Sequence, residues 1–168
     1  SIGWMISGLA DDGGVWWESS KRKWGDKKRL IENWVVAYPE KLRPKLVLGY
    51  YQSLQESWQE GVNIESFDAL WGGEVAADHL TRYLKPEFST VYTDEEPGKL
   101  LLMNGLKKVP DWESGNVEVL QKFWQFENSE KPGLVPALLV YADLIASGNS
   151  RNLETAKIIY KKYLDVTE

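Results

Sequence analysis

Carboxylates set among apolar residues are where this chain could do chemistry. Glu74 sits within Trp71-Gly72-Gly73-Glu74-Val75-Ala76-Ala77. Asp143 sits within Leu139-Val140-Tyr141-Ala142-Asp143-Leu144, a run continued by Arg151-Asn152-Leu153-Glu154-Thr155-Ala156. A charge in such surroundings is costly to bury alone, so each needs a partner or a task. Arg151 and Asn152, a short turn beyond Asp143, are expected to meet it in a link that fixes the angle between two helices rather than adding stability. Glu74 is expected in the first turn of a helix, where the dipole favours a negative charge. Gly72 and Gly73 would allow a close approach just before it. The sharper reading of Glu74 is a ligand-binding or catalytic carboxylate. Glu154 is expected to serve the first turn of the last helix.

Glu74, Asp94, Glu118 and Asp143 could together hold Mg²⁺ for a nuclease-like reaction, which needs two or three converging carboxylates and usually a Lys. Glu118 and Lys122 point to one face of a strand, but at that spacing they stand about 13 Å apart. The tight acid-x-Lys spacing of such enzymes is absent there. The chain has no Cys and a single His, His79, which removes disulfides, thiolate sites and His-rich zinc sites. His79 is expected at the surface or partly packed. No Gly-rich phosphate loop, nucleophile context or nucleotide fingerprint is present. The expectation is a non-catalytic protein without cofactor or bound metal, with the nuclease as the alternative.

The elements that must position these residues follow from periodicity and punctuation. Ile2, Met5, Ile6 and Leu9 mark one helix face, and Val15 to Glu18 reads as a strand before a polar turn. A helix is predicted over 27–38 with Asp26 as its cap and Leu30, Ile31, Trp34, Val35 and Tyr38 as its buried stripe; Pro39 should end it or start a new turn. Strands are predicted over 46–52, 88–93 and 117–124. Short helices are predicted over 53–61 and 98–104, with a strand as the competing reading of the latter, and a longer helix over 74–84. Pro136 opens an apolar helix to Ser147 capped by Gly148, and a last helix covers 151–164. The fold class is therefore α/β or α+β: a small mixed sheet packed by helices, with an N-terminal winged-helix remnant. Residues 1–29 read as a partial winged helix-turn-helix, recognition helix and wing, and 30–168 as a separate α/β domain. The opening looks like the tail of a larger unit.

With 168 residues, 43% of them hydrophobic, the chain can bury one sizeable core. Nine Trp bring large apolar areas, so several must lie in the core or an interface, and an oligomerisation role is a further alternative. No apolar run is long enough to span a membrane, and no signal-peptide pattern opens the chain. The expectation is a cytoplasmic protein without membrane contact. The net charge of -5 argues against a uniformly basic nucleic-acid binder. The charge is uneven, however. Residues 1–29 hold six bases against four acids, and all six lie between Lys21 and Arg29. Lys21, Arg22, Lys23, Lys27, Lys28 and Arg29 surround Trp24 in the position of a wing. A wing lies along the DNA backbone, where cations position the protein without reading sequence. If all six engaged, affinity would fall with log salt at a slope of about -5. Three cations at a helix start also oppose the macrodipole, and a solvated hairpin tip is the plainer reading.

Several ordered motifs carry a resemblance. They are Leu42-Arg43-Pro44-Lys45-Leu46, the Trp71–Ala77 run, and Leu139–Leu144 followed by Arg151–Ala156. On these the chain resembles the AbiEi-type antitoxins of type IV toxin–antitoxin systems, from the Gly3-Trp4 helix onward. The resemblance implies an N-terminal winged helix-turn-helix, a C-terminal α/β domain and autoregulation by operator DNA binding. It also implies suppression of a nucleotidyltransferase-like toxin without a stable complex. Possible self-association into a homo-oligomer is left open. Arg43, Trp71, Gly72, Gly73, Glu74, Asp143, Arg151, Asn152 and Glu154 are the motif residues expected to matter.

Overall fold

The computed structural model describes residues 27–125 and 131–165, and the structural statements below concern those residues. The expected N-terminal helix, strand and wing, and the Asp26 cap, lie outside them. Helix α1 spans Lys27–Ala37. Its stripe of Leu30, Ile31, Trp34, Val35 and Tyr38 is buried, as the spacing predicts. Pro39 stands just past the end of α1, in the first positions of a new turn, as expected. It removes a ladder donor, and a single π turn over Tyr38–Leu42 follows, closed by the Arg43 N–H on the Tyr38 carbonyl. A short helix α2, Arg43–Leu46, then leads into strand β1, Val47–Ser53.

Five strands form one mixed sheet in the order β2-β3-β5-β1-β4. The expected strands appear as β1, as β3 over Ser89–Thr93 and as β5 over Val117–Gln121. Two more complete the sheet: β2, Ala69–Gly72, and β4, Leu106–Val109. The β3–β5 pair is parallel, and the remaining pairs are antiparallel. Residues 133–135 cover the outer edge of β2, with Trp71 N–H donating to Gly133 O and Val135 N–H to Trp71 O at 2.8 and 2.9 Å. Where a helix is expected over 53–61, Ser53 ends β1 and 54–61 is a series of turns, with Ser57 at a positive φ of 55°.

Helix α3 spans Gly73–Thr81 and α4 spans Gly98–Met103. Helix α5, Ala137–Ser147, ends on Gly148 in the left-handed conformation, as expected. Helix α6, Ser150–Ile159, is capped by Asn149 and continues as a π turn over Tyr160–Leu164. Helices α3, α5 and α6 pack on one another, and α1 lies against α5. Among them and the sheet runs one continuous core, which includes Trp34, Tyr38, Tyr92, Leu120, Trp124 and Leu138.

Two buried ion clusters form the candidate functional site

The Trp-Gly-Gly run is a junction where β2 turns directly into α3. Gly73 sits at φ 50°, and a Cβ there would meet Thr90 Oγ1 at 2.6 Å. A Cβ on Gly72 would meet the Tyr92 ring at 2.9 Å. The two glycines thus let α3 begin hard against β3. Alternation along β3 puts Thr90 and Tyr92 on one face, and the parallel register sets Thr90 beside Glu118 on β5.

That face carries the first cluster. The Arg43 guanidinium donates through Nε to Asp143 Oδ1 at 2.8 Å, through Nη1 to Glu118 Oε2 at 3.2 Å, and through Nη2 to Glu118 Oε1. Thr90 Oγ1 donates to Glu118 at 2.9 Å, and the Tyr92 hydroxyl donates to Asp143 Oδ2 at 2.7 Å. With its proton on Asp143, Tyr92 accepts from Tyr38 at 2.6 Å. One guanidinium therefore serves two carboxylates, and hydroxyls fill the remaining lone pairs. The planar fork of Arg suits this sharing, which an ammonium would not reproduce.

The electrostatics follow from this enclosure. Burial pushes the Asp143 carboxyl up, while the Arg43 guanidinium and the Tyr92 hydroxyl draw it down. Burial alone would lower Arg43, but the charges of Asp143 and Glu118 outweigh that and hold it firmly protonated. Burial, then the Asp143 charge, push Tyr38 and Tyr92 well above the ordinary tyrosine value.

The second cluster ties α3 to α6. Glu74 Oε1 accepts from Arg151 Nη2 at 2.8 Å and from the Glu87 N–H at 2.9 Å. Its Oε2 accepts from Asn152 Nδ2 at 3.2 Å. Asn152 also donates to Ser147 Oγ at 2.9 Å, and Arg151 Nη1 donates to Lys85 O at 2.6 Å. Asn152 is 1% exposed, and its Oδ1 meets no hydrogen-bond donor among the described residues.

These partners correct the expected link. Asp143 does not meet Arg151 or Asn152; it faces the sheet and takes Arg43, 100 positions earlier. Arg151 and Asn152, carried beyond the Gly148 turn, take Glu74 instead. Glu154 joins neither cluster: it is exposed and stands 3.9 Å from Lys157. Trp71 packs edge-on against Trp58, with ring centroids 5.4 Å apart. The carboxylates weighed for Mg²⁺ are divided among separate partners. Glu118 and Asp143 share Arg43, Glu74 lies in the α3–α6 cluster, and Asp94 stands 3.7 Å from Lys122. Among the described residues no group of side chains is arranged to hold a metal ion. His79 is half-buried on the wall of an open pocket of about 650 Å³, and burial lowers its pKa.

Of the six expected wing cations, Lys21, Arg22 and Lys23 lie outside the described residues. Lys27, Lys28 and Arg29 begin α1, with Lys28 and Arg29 exposed. The reading from sequence missed Tyr38, Thr90 and Tyr92, and it gave Arg43 no partner. The signal available was the alternation in Ser89-Thr90-Val91-Tyr92-Thr93, which puts two hydroxyls on one face.

The fold and its clusters define a mixed α/β domain clamped by buried arginine–carboxylate networks. The chain belongs to the family of transcriptional regulators described as AbiEi antitoxins of type IV toxin–antitoxin systems, whose model matches residues 23–165. No curated protein and no solved structure matches it. No helix among the described residues is long and apolar enough to cross a membrane.

Proposed function

We propose that this chain acts by binding, as an operator-binding transcriptional regulator and the antitoxin of a type IV toxin–antitoxin system. The observation that carries the reading is the family match over residues 23–165. In this reading residues 1–29 are a winged-helix remnant, and Lys21, Arg22, Lys23, Lys27, Lys28 and Arg29 supply phosphate contacts. Lys28 and Arg29, exposed at the start of α1, are consistent with it. Residues 30–168 form the antitoxin domain, in which the Arg43 and Glu74 clusters set geometry rather than perform catalysis. The partner is a nucleotidyltransferase-like toxin, opposed without a stable complex, and the setting is the cytoplasm.

The test is an electrophoretic shift on the operator of its own locus, comparing the chain with its Lys21→Ala/Arg22→Ala/Lys23→Ala variant. A clear loss of affinity and a shallower salt dependence are expected. Equal affinity would remove the wing contact. Incubation with Mg²⁺ and single- or double-stranded nucleic acid should leave the substrates intact; cleavage that disappears in Glu118→Gln would replace binding with catalysis.

A further inference from the structure

The two edges of the sheet are treated differently. Residues 133–135 cover β2, whereas among the described residues β4 pairs only with β1. Around β4 stand five of the seven large apolar side chains exposed among the described residues. Leu102 and Met103 end α4 just before the strand, at 84% and 65% exposure. Leu54 lies at the same end, because Ser53 pairs with Leu106. Trp112, 60% exposed, and Leu48 lie at the other end, where Tyr50 pairs with Val109. Between these flanks Lys107 and Lys108 are exposed, one on each face of the ribbon, and neither ammonium meets a carboxylate among the described residues.

We propose that the β4 edge is a docking site for an acidic, extended segment of a partner protein. The segment adds as a sixth strand, with carboxylates beside Lys107 and Lys108 and apolar side chains on the two flanks. An open edge offers backbone donors and acceptors in register, and side chains at alternate positions give selectivity. Charge decides the occupant. A second copy pairing its own β4 antiparallel about the strand centre would set Lys107 opposite Lys108, and like charges facing each other destabilise a ladder. Those lysines guard the edge against self-association while leaving it open to acids. A nucleic-acid backbone fits less well. It has no use for the apolar flanks, and its continuous charge would run past Asp111 and Glu113 beside Trp112. A strand with acids only opposite the lysines avoids that repulsion.

The test selects a display library of random twelve-residue peptides on the immobilised full chain, then measures fluorescein-labelled winners by anisotropy. Expected winners carry Asp or Glu between β-branched or aromatic residues. Their affinity should fall about tenfold or more in Lys107→Glu/Lys108→Glu and hold in Lys107→Arg/Lys108→Arg, as expected for two charge pairs at a partly dried edge. Thermal melts of both variants check that they fold. Hydrogen exchange at the β4 amides should slow when peptide is bound. Winners without acids, affinity unmoved by charge reversal, or no enrichment over a bare surface would each overturn the proposal. So would concentration-dependent dimers broken by the reversal, which would assign the edge to a second copy. Displacement of peptide by a labelled DNA duplex whose own binding needs these lysines would assign it to nucleic acid. The site is independent of the operator reading, which is tested at Lys21, Arg22 and Lys23.

Discussion

Arg43 and Asp143 stand 100 positions apart and meet at 2.8 Å. The contact joins the start of α2 to the middle of α5. Through Glu118 the same guanidinium reaches β5, so one side chain sets the spacing of three elements.

Arg43→Ala should therefore be severe. Two carboxylates would remain buried without a cation, which costs about 3–5 kcal/mol. Arg43→Lys should recover only part of this, because an ammonium cannot span Asp143 and Glu118 with the same fork. Urea denaturation followed by tryptophan fluorescence reads both. A loss near 1 kcal/mol for the alanine variant would mean that water already compensates the acids.

The tyrosine pair sets an alkaline limit. Tyr38 and Tyr92 hold their protons in the fold at pH values where the unfolded chain has released them. Their contribution is present in full below the unfolded value of about 10 and is lost as pH rises toward the higher folded values. Asp143 has the same sign in the acid range. Burial raises it, so its share is greatest below the ordinary Asp value and declines as pH rises through the folded one. Tyr38→Phe should cost about 1 kcal/mol at neutral pH and flatten the alkaline decline. Urea midpoints across a pH series check this, and an unchanged alkaline slope would reject the buried-proton account.

Gly73→Ala should destabilise the domain by about 2 kcal/mol, since it joins a left-handed backbone to a clash with Thr90. The effect should be coupled to the first cluster, because Thr90 also binds Glu118. In a double-mutant cycle, Thr90→Ala should cost less in the Gly73→Ala background than alone. Strict additivity would show that the junction and the cluster are separate.

Asn152→Asp places a second acid against Glu74. A loss of about 2 kcal/mol or more is expected at neutral pH. The deficit should shrink on acidification, as one of the two carboxyls takes a proton. Melting temperatures at neutral and mildly acidic pH decide it; a deficit constant with pH would point to steric misfit instead.

The helices were largely legible in the sequence, because each has a strong boundary or stripe. Gly148 ends α5 where expected, and Leu30 to Tyr38 spell out the inner face of α1. The two missed strands lack such signals. Four residues of β2 run straight into α3, so Trp71-Gly72 reads as a helix entry. In β4, Lys107 and Lys108 fill half the strand and hide its pattern. The site was half legible. Its carboxylates stand out against apolar neighbours, but their partners depend on which way each helix faces. Arg151 is near Asp143 in sequence, and Arg43 is near it in space. Nothing local distinguishes the two, because the choice is made by α2 and α5 meeting on one face of the sheet.

The parallel pairing of β3 with β5 and the late arrival of α5 also order events during synthesis. As the polypeptide leaves the ribosome, Arg43 emerges long before Asp143 does. Until residues 133–135 are out β2 lacks its cover, and until α5 follows them the guanidinium lacks its second acid. A prematurely terminated copy ending before α5 is therefore left with an unsealed interior, open to proteases that the finished protein excludes.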